Sequence, residues 1–256
     1  MLVLAIGDII GKPGRAALKK LLPQLRQQYK LKLVMANAEN AAGGIGLTPD
    51  TAQEMLEAGV DVLTSGNHIW AHREIVPYLD SDVPVLRPLN YPPGVPGKGY
   101  LIHNGVMVVN VMGRTFMSEL DCPFRAMDKL LHDIEPKPPV IIVDFHAEAT
   151  SEKMAMGRYL DGRVSAVLGT HTHVGTIDAQ VFPNGTAYVT DIGMTGPKDS
   201  IIGDDIDNVL HRFLARMPYR ISVGKGSTIF NAILVKIDNE SGQAISIDRI
   251  SREVES

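Results

Sequence analysis

A chain of 256 residues with 45% apolar and 21% charged side chains has the make-up of an ordinary globular protein, and by size it should bury roughly 70–75% of its unfolded surface. Its net charge of −4 and pI near 6.1 exclude a broad basic face of the kind that grips duplex nucleic acid. The lone cysteine, Cys122, excludes an internal disulfide and a cysteine-built zinc site, and no apolar run approaches the roughly 20 residues of a membrane span.

Met1 leads directly into Leu2–Ile6, which reads as a buried strand rather than a signal peptide, so cytoplasm is the expected location. Gly14–Tyr29 carries apolar residues at helical spacing, with Pro13 placed to start the helix and Pro23 to bend or end its first part. Leu33–Ala36 is the next strand. Thr48-Pro49 then forms an N-cap and first-turn pair for a helix running to about Ala58, closed by Gly59 and followed by the strand Val60–Thr64. Two consecutive βαβ units imply parallel strands with right-handed crossovers.

Proline- and glycine-rich Val83–Gly99 reads as a loop, a plain connection or an active-site rim. Further strands are expected at Val106–Val111, Val140–Phe145, Val164–Leu168 and Ala187–Thr190, with helices near Phe124–Leu131 and Lys153–Leu160. Ser227–Ile237 and Ala244–Ile250 flank the turn Asp238–Gly242 and read as an antiparallel hairpin. No composition break divides the chain, so residues 1–256 are expected to form one domain. The basic clusters Lys19-Lys20 and Arg212 to Arg216 fall among apolar residues at helical spacing and read as solvated helix faces.

The residues that follow each strand carry the chemistry. The first strand leads to Gly7-Asp8, the second to Asn37-Ala38-Glu39-Asn40, and the third to Gly66-Asn67-His68. Val140–Phe145 leads to His146, and Val164–Leu168 to Gly169-Thr170-His171-Thr172-His173. Each signal alone has a bland reading as a turn or a hydrogen-bonded structural residue. In an open α/β sheet, however, ligands bind outside the carboxyl ends of the strands, where these side chains would converge. Carboxylate, amide and imidazole without thiolate suit manganese, iron or zinc. Six or seven such ligands would over-supply one ion, so two ions bridged by a carboxylate fit better, as in sites that displace groups at phosphorus.

The order Asp8, Glu39, Gly66-Asn67-His68, His146 and Gly169-Thr170-His171-Thr172-His173 resembles the calcineurin-like metallophosphoesterase superfamily. Its usual Asp-x-His opening is altered here, since position 10 is Ile10, and Glu39 replaces the usual bridging aspartate. Together with Gly7-Asp8-Ile9-Ile10-Gly11, Asn37-Ala38-Glu39-Asn40, Gly66-Asn67-His68-Ile69-Trp70 and Thr190-Asp191-Ile192-Gly193-Met194-Thr195-Gly196, this pattern is similar to the YmdB-like branch of bacterial phosphodiesterases.

The resemblance implies an α/β fold, a four-layer α/β/β/α sandwich with a central mixed sheet pair, and two metal ions, iron or alternatively manganese. By the same resemblance Asp8, Glu39, Asn40 and His173 would hold one ion and Glu39, Asn67, His146 and His171 the other. A hydroxide between them would attack a phosphodiester such as a 2′,3′-cyclic nucleotide, with His68 as proton donor. A 3′,5′-cyclic substrate, a phosphomonoesterase or protein phosphatase on the same fold, and a non-catalytic nucleotide-sensing regulator are the competing readings. Partners are therefore a small phosphodiester or cyclic nucleotide, with no membrane and no strong duplex binding, and the pattern leaves room for a homo-oligomer.

Other residues are set aside. Gly7–Lys12 has three residues between its glycines where a P-loop has four, and Pro13 stands where that loop needs Ser or Thr. Gly43-Gly44-Ile45-Gly46 lacks the spacing of a dinucleotide fingerprint. His72, His103, His132 and His211 read as surface or satisfied residues, Arg114 as a possible phosphate contact, and Asp191 as a turn or a support for the site.

Overall fold

The computed structural model describes residues 1–255. In chain order the elements are β1 (Leu2–Ile6), β2 (Asp8–Ile9), α1 (Gly11–Tyr29), β3 (Leu33–Asn37), α2 (Pro49–Glu57), β4 (Val62–Thr64) and α3 (Ile75–Leu79). There follow β5 (Tyr100–His103), β6 (Val106–Met112), α4 (Pro123–Asp133), β7 (Val140–His146), α5 (Thr150–Tyr159), β8 (Ala166–Thr170), β9 (Gln180–Val181) and β10 (Ala187–Val189). The chain ends with β11 (Met194–Pro197), α6 (Ile206–Ala215), β12 (Thr228–Ile237) and β13 (Ala244–Val254).

Two mixed sheets result. The first runs β2-β11-β12-β1-β3-β4, with β13 also paired to β12; the second runs β5-β6-β7-β8-β10-β9. The expected parallel pairs β1–β3 and β3–β4 are present, as is the antiparallel β12–β13 hairpin, which runs on to Val254 and carries a register shift at Lys236/Ile237.

Strand alternation explains the layering. Val3 and Ala5 of β1 enter the core between the sheets, joined by Val106 and Val108 of β6 and Val140 and Ile142 of β7. Their neighbours Leu4 and Ile6 face outward and pack with Leu18, Leu22 and Leu25 of α1 and Met55 of α2. On the far side, Val109, Ile141, Val143 and Phe145 pack with Met127 of α4 and Met156 of α5. Because side chains on a strand point alternately to its two faces, near-continuous apolar runs are what a sheet covered on both faces requires. The result is three cores between four layers, helix–sheet–sheet–helix, as the resemblance implies.

Several local expectations are corrected. Helix α1 begins at Gly11, and Pro23 neither ends it nor stops its register. Pro23 lies on an exposed face, where the carbonyl left without a donor one turn earlier can bond water. Strand β4 starts at Val62 rather than Val60, since Val60 is drawn into the end of α2 by its bond to the Met55 carbonyl. Strands β3 and β7 each run one residue further than predicted, to Asn37 and His146, and β8 is shifted toward its carboxyl end, Ala166–Thr170. Thr48 caps α2 reciprocally with Thr51, worth about 1 kcal/mol, and Gly59 takes φ 107° where the chain turns away.

Candidate metal centre

All eight residues singled out from the sequence meet at the carboxyl ends of β1, β3, β4, β7 and β8. Asp8 is placed by β2, which pairs with β11 beside Met194. The chain leaves β3 through an Asx turn in which Asn37 Oδ1 accepts the Glu39 N–H at 3.1 Å, and this carries Glu39 and Asn40 into the buried floor. The His68 N–H donates to Glu39 Oε2 at 3.1 Å, tying the loop after β4 to that floor.

One half of the site centres on His146 Nε2. Glu39 Oε1 lies 3.1 Å from it, Asn67 Oδ1 3.1 Å and His171 Nδ1 3.0 Å. The ring's other nitrogen, Nδ1, is 3.0 Å from Thr170 Oγ1, whose hydroxyl donates to Asp144 Oδ1 at 2.6 Å. With its own proton given to Asp144, Thr170 is left to accept from Nδ1–H, and the neutral ring then keeps its lone pair on Nε2.

The other half is built from Asp8, Asn40 and His173. His173 Nε2 is 3.1 Å from Asn40 Nδ2 and 3.8 Å from Asp8 Oδ1, while His173 Nδ1 donates to the Ile202 carbonyl at 2.6 Å. As placed, Asn40 turns its amide nitrogen toward His173 and its oxygen toward His68 Nδ1, 2.8 Å away. A half-turn about its last torsion exchanges the two atoms. Glu39 stands between the halves, with Asn40 Nδ2 donating to its Oε1 at 3.4 Å.

The donor set fits a cation. Asp8 Oδ1 is buried with no hydrogen-bond partner, a position that costs stability unless an ion or another donor satisfies it. Glu39, His146 and His171 can bring one ligand atom each within 4.8 Å of one another. Gly66 keeps that space open: a Cβ there would come within 2.5 Å of Glu39 Oε2 and closer still to the His146 ring.

The charges are tightly interlocked. Burial raises the Asp8 carboxyl to about 6 despite the nearby His173 and His146. Burial would also raise Glu39, but His146 and His68 outweigh it and hold the carboxyl at about 2. Burial opposes charge on His146, yet Glu39, Asp8 and Asp144 lift it to about 9. His171 falls to about 3, through burial and the adjacent His146 charge. A proton on His146 thus serves as the counter-charge to Glu39, in the position a cation would take over.

The backbone is strained where it presents these ligands: His171 has φ 100° and His173 φ 66°, which few non-glycine residues adopt. Asp191, expected as a support, holds this turn. It accepts from the Thr172 N–H at 3.1 Å and hydroxyl at 2.8 Å, and from Lys153 Nζ at 2.6 Å, both partners of the ion pair being buried.

Sequence reasoning missed four contributors. Glu148, two residues beyond His146, places Oε2 3.0 Å from His171 Nε2; an acid on a strand-end loop was the available signal. Asp144 and Thr170 are polar residues in otherwise apolar strands, a legible anomaly. The Ile202 carbonyl is a backbone group and leaves no mark in the sequence. The set-aside residues do lie elsewhere: His72 bonds the Ile45 carbonyl, and His103 approaches Asp61. Arg114, also set aside though weighed as a phosphate contact, lines a separate groove with Cys122 and Arg125, and its N–H bonds Glu152. A cleft of about 270 Å³ opens over the centre, walled by His68, His171, His173, Glu148, Asp204 and Ile10. No helix among the described residues is long and apolar enough to cross a membrane.

Comparison with known proteins gives this geometry a context. The 2′,3′-cyclic-nucleotide 2′-phosphodiesterase of Bacillus subtilis (strain 168) is 46% identical over 255 residues, covering 98% of this chain and 96% of that protein. A solved structure described as a novel phosphatase from Mycoplasma pneumoniae superposes with a TM-score of 0.93 at 31% identity, covering 100% of this chain and 94% of the other. The calcineurin-like phosphoesterase YfkN from Bacillus subtilis shares the fold, with a TM-score of 0.56 at 12% identity over 100% of this chain and 90% of the other. The family model for YmdB-like proteins matches residues 4–250, and with that match spanning nearly its whole length the chain belongs to the YmdB-like family, on the calcineurin-like phosphoesterase fold.

Proposed function

We propose that this protein is a dinuclear metal-dependent phosphodiesterase acting on small phosphodiesters such as 2′,3′-cyclic nucleotides, with iron or manganese as its metal. The observation that carries the proposal is the gathering of Glu39, Asn67 and His171 on His146 Nε2, beside Asn40 and His173, with the Asp8 Oδ1 that His173 approaches buried and without a hydrogen-bond partner. Asp8, Asn40 and His173 would hold one ion, Asn67, His146 and His171 the other, and Glu39 both. A bound metal pair acidifies an attacking water and neutralises charge on the phosphoryl oxygens.

The chain's own residues do the rest. His171 and His173 are held in register by Glu148 and the Ile202 carbonyl, contacts that typically matter 10–100-fold for metal affinity. Asn40 Oδ1 accepts from His68 Nδ1–H at 2.8 Å, and its second lone pair would remain for a cation. In the charged His68 ring the second proton sits on Nε2, the nitrogen not engaged with Asn40, and passing it to the departing alkoxide oxygen leaves a neutral ring. Such a proton donor typically contributes about 10²–10⁴ in rate. From a 2′,3′-cyclic substrate the product is a nucleoside monophosphate with one ribose hydroxyl freed.

The likeness to the Mycoplasma pneumoniae phosphatase favours a second reading, a phosphomonoesterase. Protein loaded with iron or manganese decides between them when assayed on bis(p-nitrophenyl) phosphate, adenosine 2′,3′-cyclic phosphate and p-nitrophenyl phosphate. Preference for the diesters is expected. A strong monoester preference favours the second reading, and no turnover of either diester refutes the first.

A further inference from the structure

Beside the metal cleft lies a second, mainly apolar cavity of about 730 Å³, lined by Ile201, Ile202, Val209, Phe213, Met217 and Ile221. Ile202 and Asp204 line both spaces, so the two share a wall. That volume lies in the range of small-molecule sites, which combine apolar walls with a few polar groups. The polar groups here are the Asp204 carboxylate at the shared wall and the Arg212 and Arg216 guanidiniums. Phe213 is 68% exposed and Met217 65%, a poor use of large apolar side chains unless something covers them.

We propose that this cavity is the subsite for the aromatic base of a nucleoside cyclic phosphate whose phosphate occupies the metal cleft, an inference that rests on the phosphodiesterase reading. The occupant is chosen by continuity and chemistry. Ile202 and Asp204 border both the cleft over His171 and His173 and the cavity, so a ribose leading from a phosphate in the cleft toward the cavity crosses Ile202. The next group outward is then a flat ring entering apolar walls. Phe213 and the arginine planes offer stacking surfaces, and Asp204 can accept from an exocyclic amino group or ring N–H. Guanidiniums around a phosphate would compete with the metals, but around a base they add cation–π attraction.

The test uses full-length, metal-loaded protein and two cyclic diesters, adenosine 2′,3′-cyclic phosphate and ethylene phosphate, which has no base. In Phe213→Ala the ratio of kcat/KM for the nucleotide to that for ethylene phosphate should fall about tenfold, as expected for one lost stacking partner. Adenosine alone, titrated calorimetrically, should bind the parent and lose about tenfold in affinity in Phe213→Ala and in Asp204→Asn. An unchanged ratio together with unchanged adenosine binding overturns the proposal. So does a Phe213→Ala variant that shifts from dimer to monomer in light scattering while keeping the ratio, because the cavity is then a subunit interface. If the parent turns over neither diester, the phosphodiesterase reading fails on its own, and adenosine binding still decides the subsite.

Discussion

Gly66→Ala adds one methyl group beneath the candidate centre, against Glu39 and the His146 ring. A Cβ at this position would stand 2.5 Å from Glu39 Oε2, whereas ordinary contact begins at 3.4 Å, so the carboxylate must retreat by about 0.9 Å (3.4 − 2.5). The His146 ring, closer still, must move as well. Both side chains are fully buried and walled by neighbours, so the displacement cannot be absorbed by solvent. Overpacking of this kind costs about 1–3 kcal/mol, which for a chain of this size lowers Tm by a few degrees per kcal/mol. Displacing ligands by about 1 Å costs on the order of 10²-fold in rate. The variant should therefore remain folded at 25 °C, with metal affinity weakened at least tenfold and turnover lost in proportion. Calorimetric metal titration of the stripped protein, with thermal melts before and after loading, measures both effects. Parental metal affinity in a folded Gly66→Ala would refute the claim that Gly66 keeps room for a cation.

Four further outcomes follow from the same geometry. His68→Ala should lower kcat by about 10²–10⁴ while elemental analysis shows unchanged metal content; full activity would remove its role as proton donor. In stripped protein, Glu39 holds His146 protonated to about 9 against an ordinary 6.5. The stability from that pair is fully present below pH 6.5 and is lost as pH rises through 9, so the melting temperature of the stripped protein should decline over that interval. Metal loading at pH 7.5 must displace the same proton, and titrations in buffers of different ionisation enthalpy should show release; no release would contradict the assignment of His146. Lys153→Met leaves Asp191 charged and buried without its partner, and should destabilise the fold by about 3–5 kcal/mol while loosening the Thr172 turn. A Tm within a degree of the parent would count against Asp191 as the anchor of that turn.

The candidate site was legible because its residues sit just after apolar runs: Leu2–Ile6 before Asp8, Leu33–Ala36 before Glu39, Val140–Phe145 before His146. A strand buried on both faces is apolar along most of its length, so the cluster of polar groups just beyond it marks where the chain reaches the edge of the sheet. What escaped was structure set by partners distant in sequence. Strand β2 is only Asp8–Ile9, too short to show a period, and exists because β11 lies alongside it. Helix α6 was legible only as a solvated face around Arg212 to Arg216, without its extent, because among Ile206–Ala215 only Val209 is buried; its exposed Leu210, Phe213 and Leu214 blur the two-faced pattern of a packed helix. Pro23 misled because its effect depends on whether the freed carbonyl can reach water, which position in the sequence does not state. The Asp144–Thr170–His146 chain spans two strands, and its pairing follows from register, His146 lying beside Thr170.

Anomalous diffraction from crystals grown with manganese or iron tests the central claim most directly. Two peaks about 3.5–4 Å apart are predicted, one contacted by Asp8, Asn40 and His173, the other by Asn67, His146 and His171, with Glu39 touching both. A fully loaded crystal with peaks away from these side chains, or with Glu39 touching no metal, would contradict the account.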